Sequence, residues 1–332
     1  ALSSAASDVY KRQIKTKEDK EKYSLEIVAK HLSTLVNAPV YFVPVTRGDI
    51  LEKTIENLES SEIVLVENTR FEDYPKSLES SCDEALSKYW ASLGDIFVFD
   101  AFGSSHRCHA STYGISKYLK SYAGFLVEEE VTMLNKAIHQ RKTMILGGGK
   151  VDDKIDVINN LINTCDKLLL GGAMCFTFLK AKGYNVGKNE VVEDKLEYAK
   201  NLLETNGKKI ILPVDFVSEH GVVEVENISD DDILYDIGPK TISKYKEAIF
   251  DSNLVLWNGP LGKYEDERFA EGTKSLMTYL NKQSIVTILA GGDIVACAKK
   301  LGAKFTFVST GGGATLEYLE GKRFKTLERL QG

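Results

Sequence analysis

Residues 303–321 read AKFTFVSTGGGATLEYLEG. The first part, KFTFVS, alternates apolar and polar residues as a strand does. After the glycines, ATLEYLEGK starts as a helix should, with Ala314, Leu316 and Glu317 favouring it. Glycine loses more conformational freedom on ordering than any other residue. Three in a row therefore mean a tight turn that needs positive φ, or a backbone that must come close to something. A strand, a glycine turn and a helix also make a place where backbone N–H groups and the helix dipole receive an anion, most often a phosphate. This stretch by itself leaves both readings open.

The pattern recurs along the chain. TMILGGG (143–149), DKLLLGG (166–172), KKIILPVDF (208–216), SNLVLWNG (252–259) and SIVTILAGGD (284–293) are apolar runs that end in small or polar residues. EIVLVEN (62–68) and GDIFVFDAF (94–102) are similar runs nearer the start, and APVYFVPV (38–45) is strand-like. Helical stretches separate them, including the amphipathic 18–36 and the segments 153–165, 190–207 and 238–250. Residues 122–142, YAGFLVEEEVTMLNKAIHQRK, read as one helix between two sets of strands. Strands alternating with helices imply an α/β chain whose parallel sheets are covered on both faces. Ligands on such sheets bind beyond the carboxyl ends of the strands. Glycines gather at those ends: Gly147–Gly149, Gly171–Gly172, Gly259, Gly291–Gly292 and Gly311–Gly313. Their recurrence in one topological place points to a nucleotide or polyphosphate cleft.

Bulk properties narrow the class. A length of 332 residues favours two domains, and 43% hydrophobic with 27% charged residues is ordinary for a globular protein. The net charge of −6 gives no support for binding nucleic acid or an anionic membrane. Five scattered cysteines, with no C-x-x-C, suit a reducing, cytoplasmic setting. No apolar run is long enough to span a bilayer. Residues 3–13, SSAASDVYKRQ, are expected to be foreign. One reverse translation of them is identical to a transposase adapter used for sequencing libraries. The expected boundaries are therefore 1–13 as adapter, 14–123 as a truncated first lobe and 124–142 as a connecting helix. A second lobe over 143–320 and a tail over 321–332 complete them.

Several side chains could carry chemistry. Lys150 and Lys154 follow a strand and, four apart on a helix, share a face. Lysine suits phosphates, although two such lysines are often only a solvated face. WNGPLGKYE (257–265), with Asn258, and GGD (291–293) add polar groups at other strand ends. Asp293 is a candidate magnesium ligand, since Mg²⁺ favours one or two carboxylates plus phosphate oxygens; a helix N-cap is the competing role. ENTRF (67–71) and DAFGSSHRCHAS (100–111) place Arg70, His106, Arg107 and His109 at strand ends. Arginine suits bidentate carboxylate or phosphate recognition, and each could otherwise form a surface ion pair.

Together these stretches resemble the phosphoglycerate kinase family, from about Lys22 to the C-terminus. The matching motifs are KYSLEIVAKHL, VENTRF, DAFGSSHRCHAS, LGGGKVDDKI, GGAMCFTFLKAKG, LPVDFV, DIGPKT, WNGPLGKYE, AGGD and STGGGATLEYLEGK. The resemblance implies two Rossmann-like three-layer (αβα) lobes with parallel sheets, the first incomplete here. It implies 3-phosphoglycerate on the first lobe and Mg-ATP or Mg-ADP on the second. The reaction moves a phosphoryl group between ADP and the acyl phosphate of 1,3-bisphosphoglycerate, by a cytoplasmic monomer of glycolysis. By similarity Arg70, Arg107 and His106 bind the substrate, while Lys150 and Lys154 contact the nucleotide phosphates and the group in flight. Gly311, Gly312 and Gly313 present N–H groups to that group. Gly171, Gly172, Gly238, Asn258, Gly291, Gly292 and Ile294 match nucleotide-pocket positions. Glu265 matches the ribose ligand and Asp293 the magnesium ligand.

Some positions depart from the family pattern. The family's opening strands, with an Asp-Phe-Asn substrate loop and a His-Leu-Gly-Arg motif, are absent. Glu129 stands where the family usually has an active-site lysine. Ala290 and Ile294 replace a glycine and a hydroxyl residue, and KRFKTL replaces the usual Leu-Pro-Gly. A diverged relative that binds nucleotide without turnover is therefore the alternative, and this chain itself is expected to lack part of its substrate cradle. A Rossmann dehydrogenase would need an opening G-x-G-x-x-G with an acidic ribose ligand beyond it, and the chain has none.

Overall fold

The computed structural model describes residues 14, 16–138, 140–149 and 158–331. They fall into two compact units, one reaching Thr132 and resuming at Lys322, the other Met133–Gly321. The division runs inside a helix, α5 (Phe125–Ile138). No described helix is long and apolar enough to cross a membrane.

The first unit holds α1 (Glu18–Lys22), α2 (Glu26–Leu35), β1 (Val40–Val43), α3 (Asp49–Glu56), β2 (Ile63–Val66), α4 (Glu84–Ala91), β3 (Ile96–Phe99) and β4 (Lys120–Ala123). β1 pairs in parallel with β2, and β3 with β4. Val43, Leu51 and Val66 form a small core under the first pair. On the second pair Phe97 and Phe99 are buried, while Ile96, Val98 and Tyr122 stay exposed.

Two local expectations change. The helix read over 18–36 is broken at 23–25. There the Glu67 carboxylate accepts hydrogen bonds from Ser24 Oγ (2.5 Å) and Leu25 N (2.7 Å), and Asn68 Nδ2 donates to Tyr23 O. Tertiary hydrogen bonds outweigh helix periodicity at that point. The single helix read over 122–142 is instead the end of β4, then α5, then the start of β5 (Lys142–Leu146). α5 begins where it does because Asp100 Oδ1 accepts from Val127 N at 3.0 Å, satisfying one orphan N–H of the first turn.

The second unit is built on one six-stranded sheet, order β13-β12-β11-β5-β6-β7. Its strands are β5, β6 (Lys167–Leu170), β7 (Ile210–Ile211), β11 (Leu254–Asn258), β12 (Val286–Ala290) and β13 (Phe307–Ser309), all parallel. Among its described helices are α6 (Met174–Ala181), α7 (Leu196–Asn206), α8 (Pro239–Ile249), α9 (Glu271–Leu280), α10 (Gly292–Lys300) and α11 (Gly313–Leu319). β5 and β11 are buried along their whole length, as a central parallel strand requires. Ile145, Leu169, Tyr245, Trp257, Leu289 and Ile294 pack in one apolar cluster, where each fully buried Leu or Ile is worth about 1.5–3 kcal/mol.

A second small sheet was not legible in the pattern. The run 208–216 breaks at Leu212–Pro213, since proline has no N–H for a ladder. Its second half, β8 (Asp215–Ser218), pairs antiparallel with β9 (Gly221–Glu224) and β10 (Leu234–Ile237). Residues 322–331, read as a tail, pack on the first unit. Gln331 N donates to Ser121 O (2.8 Å) and Arg329 Nε to Ser116 O (2.9 Å).

Candidate active site

In the six-stranded sheet the chain runs outward from β5 to one edge and from β11 to the other. The switch point therefore lies between β5 and β11, the place where doubly wound sheets bind ligands. The glycines after these strands divide into two groups. A Cβ on Gly147 would lie 2.2 Å from the Pro260 carbonyl oxygen, and one on Gly172 2.5 Å from Gly148 N. One on Gly171 would meet the Leu261 side chain, and one on Gly238 the Asp215 carboxylate at 2.3 Å. These four are glycine because protein already fills the space. Hydrogen bonds fix the same loops: Gly147 N to Asn258 O (2.9 Å), Gly148 N to Pro260 O (2.7 Å) and Gly172 N to Leu261 O (3.1 Å).

Gly149, Gly292 and Gly313 are different, because a Cβ there would meet nothing within 4 Å. Gly312, at φ 52°, approaches Gly291, at φ 109°, so the loops after β12 and β13 touch. Asn258 beneath them is buried, with Nδ2 donating to Ala290 O at 2.6 Å. The Gly311 N–H is not free for a ligand, since it donates to Ser309 Oγ at 3.1 Å. Of the other two, only Gly313 has open space where a Cβ would stand. At seven residues α11 is short, so the N–H groups of these two rather than a long helix dipole make the site.

Asp293 is exposed in the first turn of α10. The N-cap there is Gly291, which excludes the capping role for the Asp293 side chain. Ile294 is fully buried in the apolar cluster, so its side chain faces away from any ligand and only its backbone remains available. Glu265 is exposed on the loop after β11. It lies close enough to α10 to help raise the Cys297 thiol pKa, which burial mainly sets. Lys150 and Lys154 lie outside the described residues. Among the described residues no group of three or more His, Cys, Asp or Glu could hold a metal. A metal at Asp293 would therefore take most of its ligands from phosphate and water. An exposed carboxylate beside the open Gly292 fits that arrangement.

The first unit brings together Arg70, His106, Arg107 and His109. Arg70 sits in the 3₁₀ turn Thr69–Asp73 after β2, only 18% exposed, with Nη1 2.9 Å from Asp73 Oδ2. Nη1 is thus ion-paired with Asp73, and Arg70 Nε is buried without a hydrogen-bond acceptor. Buried donors left unmade are rare enough to need an explanation. Arg107 Nε donates to His106 Nε2 at 3.1 Å. His109 is buried, and its pKa falls to about 4, by burial first and then by the charges of Arg70, Arg107 and His106. One small volume thus concentrates positive charge.

Sequence reasoning missed the groups that frame this cluster. Thr326 Oγ1 donates to Arg107 O at 3.4 Å, and the Phe324 ring lies 6.2 Å from His106. Both come from the stretch read as a tail, and only its buried Phe and Thr hinted at it. Glu129 is exposed on α5.

The phosphoglycerate kinase family model matches residues 9–322. The chain is 46% identical to the phosphoglycerate kinase of Staphylococcus epidermidis, over 96% of this chain and 84% of that protein. It is 48% identical to that of Lacticaseibacillus casei, over 93% and 82%. Among solved structures, phosphoglycerate kinase from Coxiella burnetii superposes with a TM-score of 0.79 at 33% identity, over 96% of this chain and 83% of that one. The Pyrococcus horikoshii enzyme gives 0.84 at 29%, over 93% and 82%. The chain belongs to the phosphoglycerate kinase family of phosphotransferases.

Proposed function

We propose that the first unit binds 3-phosphoglycerate through Arg70, His106 and Arg107, and that the second binds Mg-ATP or Mg-ADP at the β5–β11 switch point. The observation that carries the substrate site is the buried Arg70 Nε without a hydrogen-bond acceptor, beside a second arginine. A phosphate or carboxylate supplies the acceptor it lacks, and arginine contacts to such anions are strong. On the second unit, Gly292 and Gly313 leave room for phosphates, Gly312 lends its N–H, and Asn258 supports their loops. Glu265 receives the ribose. A magnesium ion held at Asp293 would supply charge neutralisation on the phosphates.

In the proposed reaction a carboxylate oxygen of 3-phosphoglycerate forms a bond to the γ-phosphorus of ATP. The bond to the ADP oxygen breaks, and no net proton moves. Positioning and charge neutralisation dominate such transfers. Lys154 neutralises charge that builds on the transferring oxygens, with Lys150 as a second cation. Arg107 holds a phosphate whose charge does not change, which is mostly uniform binding.

The test is a steady-state assay of ADP formation dependent on 3-phosphoglycerate, in a protein restored with the family's opening strands. Lys154→Ala should lower kcat by roughly 10²–10³-fold, the loss typical of one transition-state donor. Arg107→Ala should chiefly raise KM for 3-phosphoglycerate and leave KM for ATP nearly unchanged. Nucleotide binding without any such turnover would favour the alternative of a non-catalytic relative, which the exposed Glu129 and buried Ile294 motivate. An Arg107 variant weakened for ATP instead would mean the two units are assigned the wrong way round.

A further inference from the structure

Glu79 is the most deeply buried carboxylate near the basic cluster, at 1% exposure, and the reaction gives it no role. It lies on the loop between the Arg70 turn and α4. Its contacts reach both substrate-facing loops. Its backbone oxygen accepts from Ala110 N at 2.9 Å. Its carboxylate accepts from Ser111 N at 2.9 Å through Oε2, and from Ser111 Oγ through Oε1. Thr69 Oγ1, one residue before Arg70, donates weakly to Oε1 at 3.5 Å. His109 Nδ1 is 3.9 Å from the same oxygen. The loop carrying Glu79 is itself tied to the Arg70 turn, with Ser80 N donating to Asp73 Oδ1 (2.7 Å) and Leu78 N to Glu72 O (3.1 Å).

We propose that Glu79 is a positioning residue for 3-phosphoglycerate, bracing the Arg70 turn against the Arg107–Ser111 loop so that the two arginines keep a fixed spacing. The proposal rests on the substrate site described above. Arg70 lies after β2 and Arg107 after β3, and no described strand pairing joins those strands. Hydrogen bonds outside the sheets therefore tie the two loops together, several of them to the Glu79 carboxylate. A buried carboxylate receiving two donors from one loop, while its own loop is bonded to the other, does this. The charged and titratable groups around it are Arg70 and Asp73 on one side, His109 on the other, and the Cys82 thiol on its own loop. Burial raises the Glu79 pKa to about 7, and the Ser111 bonds oppose that rise. The brace is therefore made by hydrogen bonds and does not require a full negative charge.

That distinction supplies the test. Glutamine keeps an acceptor for Ser111 N and can donate to Ser111 Oγ, whereas alanine removes both bonds. Dissociation constants of 3-phosphoglycerate and of Mg-ADP are measured by calorimetry on the full chain and its variants. Glu79→Ala should weaken 3-phosphoglycerate by about tenfold or more, equivalent to ~1.4 kcal/mol, and leave Mg-ADP unchanged. Glu79→Gln should recover binding to within about threefold of the parent, less than 1 kcal/mol. Unchanged 3-phosphoglycerate affinity in Glu79→Ala, alongside weakened affinity in Arg107→Ala, overturns the brace and leaves the site intact. Equal loss for both ligands, or no rescue by glutamine in a variant that melts with the parent, also overturns it. Unaltered affinity in Arg107→Ala, or no 3-phosphoglycerate binding by the parent chain, overturns the site and the brace with it. If Glu79→Ala does not fold, the glutamine variant decides alone, and a tenfold loss there refutes a hydrogen-bonded brace.

Discussion

Glycine at a strand end has two causes here, and substitution separates them. Gly147→Ala puts a Cβ 2.2 Å from the Pro260 carbonyl oxygen, backbone that cannot step aside. It should destabilise the second unit by about 1–3 kcal/mol, the usual cost of overpacking. Gly313→Ala puts its Cβ in open space at the start of a helix. Stability there should hold or rise by up to about 1 kcal/mol, while affinity for Mg-ADP falls. Denaturant titration paired with calorimetry reads both, and equal stability losses would erase the distinction. From the sequence all these glycines looked alike, because pattern gives location and not the atom opposite. Arg70 and Arg107 were legible as strand-end cations. The acceptorless Nε of Arg70 was not, since it depends on the turn that buries Arg70 against Asp73. Ile294 shows the reverse, a motif position whose side chain the core has claimed.

At the scale of elements, Lys142 shows how one residue can end α5 and begin β5. It is 1% exposed, and Nζ donates to Ala137 O (3.0 Å) and Ile138 O (3.1 Å), the last carbonyls of the helix. Burial lowers its pKa, yet the carbonyls and the negative end of the helix dipole hold the ammonium in place. Lys142→Met keeps the length and loses both bonds, so it should cost roughly 1–3 kcal/mol by leaving carbonyls unpaired. A denaturation midpoint within error of the parent would refute this. The six-stranded sheet was readable because each strand is a continuous apolar run closed by glycine. β4, the antiparallel trio and the break at 23–25 were not. β4 depends on its partner β3, the trio starts beyond Pro213, and the break is held by Glu67, all outside the local period.

For the whole molecule, two buried carboxyls link stability to pH. Burial raises Asp236 from 3.8 to about 7, opposed by bonds from Gly272 N and Ile237 N, and raises Glu79 from 4.5 to about 7. A raised acid pKa means the folded state holds its proton after the unfolded chain has released it. Stability from these groups is present at low pH and is lost as pH rises from about 4 toward 7. His109, lowered to about 4, has the opposite sign over the same window. Asp236→Asn removes one such group and no histidine. Relative to the parent, it should gain stability as pH rises from 4 to 7, by on the order of a few kcal/mol. A parent-to-variant difference independent of pH would contradict the assignment.

The central claim is that substrate and nucleotide have separate cradles, one on each unit. Amide chemical shifts of the ¹⁵N-labelled chain test it directly, titrated first with Mg-ADP and then with 3-phosphoglycerate. Mg-ADP should move Gly292, Asp293, Gly312 and Gly313 and leave Arg70 and Arg107 in place. 3-Phosphoglycerate should then move Arg70 and residues 106–109. Mg-ADP perturbing Arg70 and residues 106–109 instead, or neither ligand perturbing its own cradle, would contradict the account.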